Sequence, residues 1–166
     1  MIALVIGGMR SGKSAVAERL AARQGEPVTV VVPASPGDDP DFAARVRTHQ
    51  ARRPPTWPTC ECGHALPAAL DTIGGPALVD SLGSWVAASP DLTVDVDALL
   101  TALRRRSAAT VLVTEEVGLA VHPPTEAGRR FADTLGQLNL AVADVADEAL
   151  LVVAGRVLPL ERPDGL

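Results

Sequence analysis

The octapeptide Gly7-Gly8-Met9-Arg10-Ser11-Gly12-Lys13-Ser14 follows the pattern G-x-x-x-x-G-K-[ST], a phosphate-binding P-loop. Glycines at 7 and 12 let the backbone turn so that several N–H groups surround phosphate oxygens. Lys13 brings a compact ammonium to the β- and γ-phosphates, and Ser14 brings a hydroxyl for Mg2+. Lys13 is the only lysine in 166 residues, beside 14 arginines. Keeping a lysine at this one position suggests that an ammonium is chemically required there.

Two acids stand where such a loop needs them. Asp80 ends the apolar run Pro76-Ala77-Leu78-Val79, the place where P-loop enzymes hold Mg2+ directly or through water. The competing reading is an N-cap for a following helix. Glu116 also lies just past a predicted strand, where ligands of open α/β sheets gather. It suits metal support or proton acceptance from a substrate hydroxyl. On position alone, a solvated loop acid is an equal reading. A third constellation is Arg45, His49 and Arg53, spaced four apart and so on one helical face if the last turn of that helix persists to 53. Arginines there would hold phosphate oxygens and keep the imidazole neutral, and a neutral imidazole can attack phosphorus. Spacing alone nevertheless favours an exposed surface histidine. Cys60, Cys62 and His64 are zinc-type ligands, but only three cluster, and a reduced loop is the simpler reading.

The elements that must position these groups alternate between strand and helix. Ile2 to Ile6 reads as a buried strand entering the loop and Ser14 to Arg23 as the helix leaving it, with Gly25 as its stop. Val28 to Val32 is a second strand. Asp39-Pro40 opens a helix over 41 to 52 that must end near Pro54-Pro55. Residues 53 to 67 hold several prolines, both cysteines and Trp57, and read as a long irregular connection. Further strands are expected at 76–80 and 110–114. Helices are expected over 95–106 and 126–147. The first buries Val96, Leu99, Leu100 and Leu103; the second buries Phe131, Leu135, Leu138, Val142 and Val145. Arg104-Arg105-Arg106 most simply complements the dipole of the helix that it ends. Leu150 to Ala154 and Val157 to Leu160 flank Gly155-Arg156 as a closing β-hairpin. The order implies an α/β fold with a mainly parallel sheet in a single domain over residues 1–166.

Composition narrows the classes. The chain is 47% hydrophobic but only 2% aromatic, so Ala, Val and Leu must build the core. A net charge of −5 argues against binding nucleic acid through broad electrostatics. No apolar run reaches membrane-spanning length, and the N-terminus enters the P-loop strand directly, so a cytoplasmic location is expected.

Taken together, the motifs resemble the bifunctional adenosylcobinamide kinase/adenosylcobinamide-phosphate guanylyltransferase family of cobalamin biosynthesis. Gly7 to Ser14 is similar to its G-G-x-R-S-G-K-S start. Arg45, His49, Arg53-Pro54, Trp57 and Glu61 resemble its R-I-x-x-H-x-x-x-R-P-x-x-W-x-x-x-E stretch. Leu78-Val79-Asp80 with Leu82 and Trp85, Glu116-Val117-Gly118 with Pro123, and Gly128-Arg129, Phe131, Asp133, Gly136 and Asn139 resemble three further segments. The P-loop is widely shared; the His49–Arg53–Trp57–Glu61 spacing is much more specific.

The resemblance implies a RecA-like sheet, a homotrimer, and a two-step enzyme with Mg2+ and with ATP and GTP as substrates. A γ-phosphate passes to the terminal hydroxyl of adenosylcobinamide. The histidine matching His49 then takes GMP from GTP and passes it to the cobinamide phosphate. Nucleotide-binding roles fall on residues 7–14, Arg45, Arg53, Glu61 and Asp80, metal binding on Ser14 and Asp80, and catalysis on His49, Lys13 and Glu116. The chain departs from the family pattern at Glu115, where asparagine is usual, and at Ala120, Ala132 and Leu140. It also has Gly83-Ser84 in place of a more hydrophobic pair. Glu115 adds negative charge near the phosphates. The rival reading is a P-loop kinase of another small metabolite without guanylyl transfer. A nucleotide switch would need an N-K-x-D motif, which a chain with Lys13 as its only lysine lacks.

Overall fold

Residues Ile2–Gly7 form β1, whose apolar side chains alternate between two buried faces. Leu4 and Ile6 join one core, and Ala3 and Val5 join the other. A strand covered on both faces needs a continuous apolar run, as a parallel sheet does. The computed structural model describes residues 1–33, 53–119 and 121–163. The helix expected over 41–52, with Arg45 and His49, lies outside the described residues.

The described strands are β1, β2 (Thr29–Val32), β3 (Thr59–Glu61), β4 (Ala77–Asp80), β5 (Thr110–Glu115), β6 (Glu148–Val153) and β7 (Arg156–Pro159). They make one sheet in the order β3-β2-β4-β5-β1-β6-β7. All pairings are parallel except β6–β7, the expected hairpin, which turns through Ala154 and Gly155 at φ +49° and +73°. Helix α1 (Lys13–Ala22) covers one face with Val16, Ala17 and Ala21. The other face carries α2 (Leu66–Thr72), α3 (Leu82–Ala88), α4 (Val96–Arg105) and α5 (Glu126–Val145). With so few aromatics, that core rests on leucines around one fully buried tryptophan, Trp85, whose indole N–H donates to His64 O at 2.8 Å. Among the described residues, no helix is long and apolar enough to cross a membrane.

Three expectations need correction. The connection from 53 to 67 is not irregular throughout. Thr59–Glu61 pairs with β2 in register Val30↔Thr59 and Val32↔Glu61, and Leu66 already begins α2. Three residues are too few to show a period of two, so only the partner strand defines β3. Pro67 does not break α2 because it sits in the first turn, where the missing N–H has no intrahelical partner to lose. Helix α3 was not foreseen either. Its cap is Ser81, which accepts from Ser84 N at 3.2 Å, so capping is not the role of Asp80.

The third correction concerns Arg106. It does not simply complement the end of α4. Its guanidinium donates to Leu70 O (2.7 Å), Ile73 O (2.5 Å), Gly75 O (2.6 Å) and Thr110 Oγ1 (2.8 Å). It thereby closes the C-terminal end of α2 and the turn into β4, satisfying carbonyls that helix geometry leaves open. Burial pulls the guanidinium pKa downward and Asp71 opposes that, yet arginine stays charged. Arg106→Ala should destabilise the chain by about 2 kcal/mol, the cost of leaving such carbonyls unpaired. A urea midpoint equal to that of the parent protein would contradict this.

Candidate active site

The P-loop is built at the carboxyl end of β1 and shaped by contacts that need glycine. A Cβ on Gly7 would lie 2.5 Å from Ser11 Oγ and 2.7 Å from Val152 O. Gly12 sits at φ +94°, with Gly155 Cα 3.3 Å from where its Cβ would be. Ser11 N donates to Gly8 O at 3.2 Å and tightens the turn, while Met9 stands exposed at its crest and Arg10 takes φ +57°. Gly155 N donates to Ser11 O at 2.8 Å, so the turn of the β6–β7 hairpin props the loop from outside. Nothing in the sequence links the hairpin to this task, because β6 reaches the loop only by pairing with β1. Lys13 and Ser14 open α1, whose first-turn N–H groups lack intrahelical partners and favour an anion.

Lys13 Nζ is held between Gly8 O at 3.4 Å and Glu115 Oε1 at 3.5 Å. Glu115 ends β5 beside Gly7, its neighbour in register on β1. Its other oxygen accepts from Ser81 Oγ at 3.3 Å. Its backbone carbonyl accepts from Asn139 Nδ2 at 3.0 Å, and Asn139 Oδ1 accepts from Thr114 Oγ1 at 2.6 Å. Asn139 is buried, so this pair of bonds fixes α5 to the end of β5 where the acids emerge.

Asp80 ends β4 as expected and forms an ion pair with Arg53, whose Nε also contacts Glu18 Oε1 at 3.3 Å. All three side chains are largely buried. Arg53 therefore ties the chain entering β3 to α1 and to β4. Arg53→Ala would leave two acids inside without this cation, and a loss of about 3 kcal/mol is expected. Arg53→Lys should recover little of it, since an ammonium cannot reproduce the planar fork. Thermal melts of the two variants would check this: a melting point close to the parent protein in either case rejects the bridging role.

Glu116 follows Glu115 off the end of β5. Its N–H donates to Gly7 O at 3.3 Å, and its Oε1 accepts from Gly118 N at 2.5 Å. Lys13 and Ser14 thus follow the end of β1, Asp80 ends β4 with Arg53 paired to it, and Glu116 follows the end of β5; the three strands are neighbours in the sheet. Glu61 ends β3, two strands beyond β4 in the sheet order. Arg45 and His49 lie outside the described residues. Sequence reasoning did not find Glu18 or Ser81, and it noted Glu115 only as added charge; no spacing in the sequence marks their partners. Farther along, burial and then Cys60 push the Cys62 thiol up to about 11, which disfavours the thiolate that a metal would need. Among the described residues, no group of three or more His, Cys, Asp or Glu could hold a metal ion. Mg2+ does not require such a group, because it commonly takes one or two carboxylates and completes its shell with water and substrate phosphates.

Comparison with known proteins narrows what this edge serves. Residues 3–160 match the model of the family described as cobinamide kinase / cobinamide phosphate guanyltransferase. The chain belongs to this family. It is an enzyme of that bifunctional type. It is 38% identical to the bifunctional adenosylcobalamin biosynthesis protein CobP of Pseudomonas aeruginosa, over 95% of this chain and 96% of that protein. It is 33% identical to the bifunctional adenosylcobalamin biosynthesis protein CobU of Salmonella typhimurium, over 93% and 97%. Among solved structures, an ATPase from the type III secretion system of pathogenic bacteria superposes with a TM-score of 0.59. That superposition covers 90% of this chain and 50% of the ATPase at 13% identity, a likeness of fold only.

The family match takes in both the P-loop and the hairpin that props it. Within the matched span, the segment at 123–129 has a structural role. Gly128 N donates to Thr125 Oγ1 at 3.1 Å, and a Cβ on Gly128 would come within 2.9 Å of Pro123. Arg129 donates to the carbonyls of Pro123 and Pro124. These residues shape the entrance to α5, whose Asn139 in turn holds the strand end.

Proposed function

We propose that the chain works as one unit over residues 1–166 in two steps. In the first, the P-loop holds ATP or GTP and the terminal hydroxyl of adenosylcobinamide takes the γ-phosphate. A bond forms from the hydroxyl oxygen to phosphorus, the bond to the β-phosphate oxygen breaks, and the hydroxyl proton leaves to a base, for which Glu116 is the candidate. In the second, a ring nitrogen of His49 attacks the α-phosphorus of GTP. A P–N bond forms and pyrophosphate departs with the electron pair of the broken P–O bond. An oxygen of the cobinamide phosphate then displaces the imidazole and yields adenosylcobinamide-GDP. The observation that carries the reading is Lys13 at the mouth of a glycine-shaped loop, with carboxylates at two neighbouring strand ends, in a chain of this family.

Ser14 and Asp80 offer the hard oxygen donors that suit Mg2+; held there, the ion would supply positive charge to offset that of the nucleotide phosphates. Arg45, Arg53 and Glu61 remain candidate nucleotide contacts. A homotrimer and a cytoplasmic location complete the reading by resemblance. The test uses two labels. γ-Labelled nucleotide with adenosylcobinamide should yield a labelled corrinoid, and α-labelled GTP should label the protein itself. Label only in the corrinoid would leave a kinase without guanylyl transfer; label in neither would reject both steps.

A further inference from the structure

We propose that Glu115 is the positioning residue of the phosphate site. It holds the Lys13 ammonium in place before nucleotide arrives and sets triphosphate affinity by competing for it. This rests on Lys13 being the triphosphate contact.

Three independent features make a seat for this carboxylate. One oxygen faces Lys13 Nζ at 3.5 Å and the other accepts from Ser81 Oγ at 3.3 Å. Gly83 leaves the space behind it open: a Cβ there would lie 2.0 Å from Glu115 Oε2, an impossible approach. The main chain at Glu115 is fixed by Asn139, which is itself bonded to Thr114. A carboxylate on a loose loop would pair with lysine only in passing; this one is held on three sides. The side chains are partly shielded from water, with Lys13 12% and Glu115 34% exposed, so the pair is screened less than a surface pair.

The consequence is electrostatic. A triphosphate must take the ammonium from Glu115, and the displaced carboxylate remains close to the incoming negative charge. Both effects weaken binding in proportion to phosphate charge, and a nucleoside without phosphates escapes both. The neutral, isosteric Glu115→Gln should therefore bind ATP and GTP on the order of tenfold more tightly and bind guanosine unchanged. Gly83→Ala should act in the same direction by evicting the carboxylate. In a Glu115→Ala background, Gly83→Ala should then add nothing, as expected for residues acting through one contact.

Calorimetric titration of the full chain with ATP, GTP and guanosine tests this, with circular dichroism confirming the fold. Tighter triphosphate binding by Glu115→Gln with unchanged guanosine binding supports the proposal. Unchanged or weaker triphosphate binding overturns it, as does a shift equally large for guanosine. Additive effects of the two substitutions would overturn the seat at Gly83; should Gly83→Ala not fold, the glutamine variant decides alone. Lys13→Ala separates the underlying reading: if it keeps parental triphosphate affinity, the P-loop assignment fails and this proposal with it. If Lys13→Ala loses binding while Glu115→Gln is unchanged, only the role of Glu115 fails.

Discussion

Lys13→Ala is expected to lower phosphorylation of adenosylcobinamide by about 10²–10³-fold, the scale seen when one preorganised charge partner of a transition state is removed. No other lysine exists to substitute, and the arginine nearest in sequence, Arg10, extends from the exposed crest of the loop. The loop should survive the change. Its shape depends on Gly7, Gly12, Ser11 and the hairpin turn; within the loop the Lys13 side chain contributes a 3.4 Å contact to Gly8 O, and its N–H, which donates to Ser11 Oγ at 3.3 Å, survives the substitution. Glu115 would lose its cation but keep Ser81 as a donor. The measurement is steady-state turnover with γ-labelled nucleotide beside a thermal melt. A well-folded variant with parental turnover would refute the P-loop assignment, whereas a collapsed melting point would move Lys13 from chemistry to structure.

His49→Ala is expected to abolish labelling of the protein by α-labelled GTP and to reduce guanylyl transfer at least about 10³-fold, as loss of a nucleophile does. Phosphorylation of adenosylcobinamide should persist. The two halves of this outcome separate a nucleophile from a residue needed for folding. Arg45, His49 and Arg53 share a face only if the helix runs on to 53, and the structure places Arg53 in a bend instead. Arg53 is already engaged by Asp80 and Glu18, so its charge is largely offset before any phosphate approaches. A labelled His49→Ala protein would place the adduct elsewhere; peptide mapping would show where.

Much of the fold was legible because it rests on local pattern. β1 and β5 are apolar runs long enough to be read as buried strands, and α5 shows its buried face through Leu135, Leu138 and Val142. The loop itself is a motif whose chemistry belongs to its residue types. What escaped notice was short or defined by a partner. β3 has three residues and exists through β2; α3 contains Gly83 and Ser84, poor helix formers, and is held by Ser81 and the burial of Trp85. Arg106 read as the end of its own helix, yet three of its bonds reach 31 to 36 residues back. The departures at Glu115 and Gly83 looked unrelated in sequence, 32 positions apart; in space the carboxylate fills the volume that the glycine leaves.

By itself, then, the sequence determined the phosphate chemistry, the family and the mainly parallel α/β fold. Each of these is written in contiguous residues or fixed spacings, which need no folded chain to be read. Only the tertiary structure decided who partners whom at the sheet edge. It paired Lys13 with Glu115, tied Arg53 to Asp80 and Glu18, and set the hairpin turn against Ser11. The physical reason is that parallel pairing brings the carboxyl ends of β1, β4 and β5 side by side. Charges far apart in the chain then meet at ångström range, where distance and shielding, not order in sequence, set the strength of their interaction.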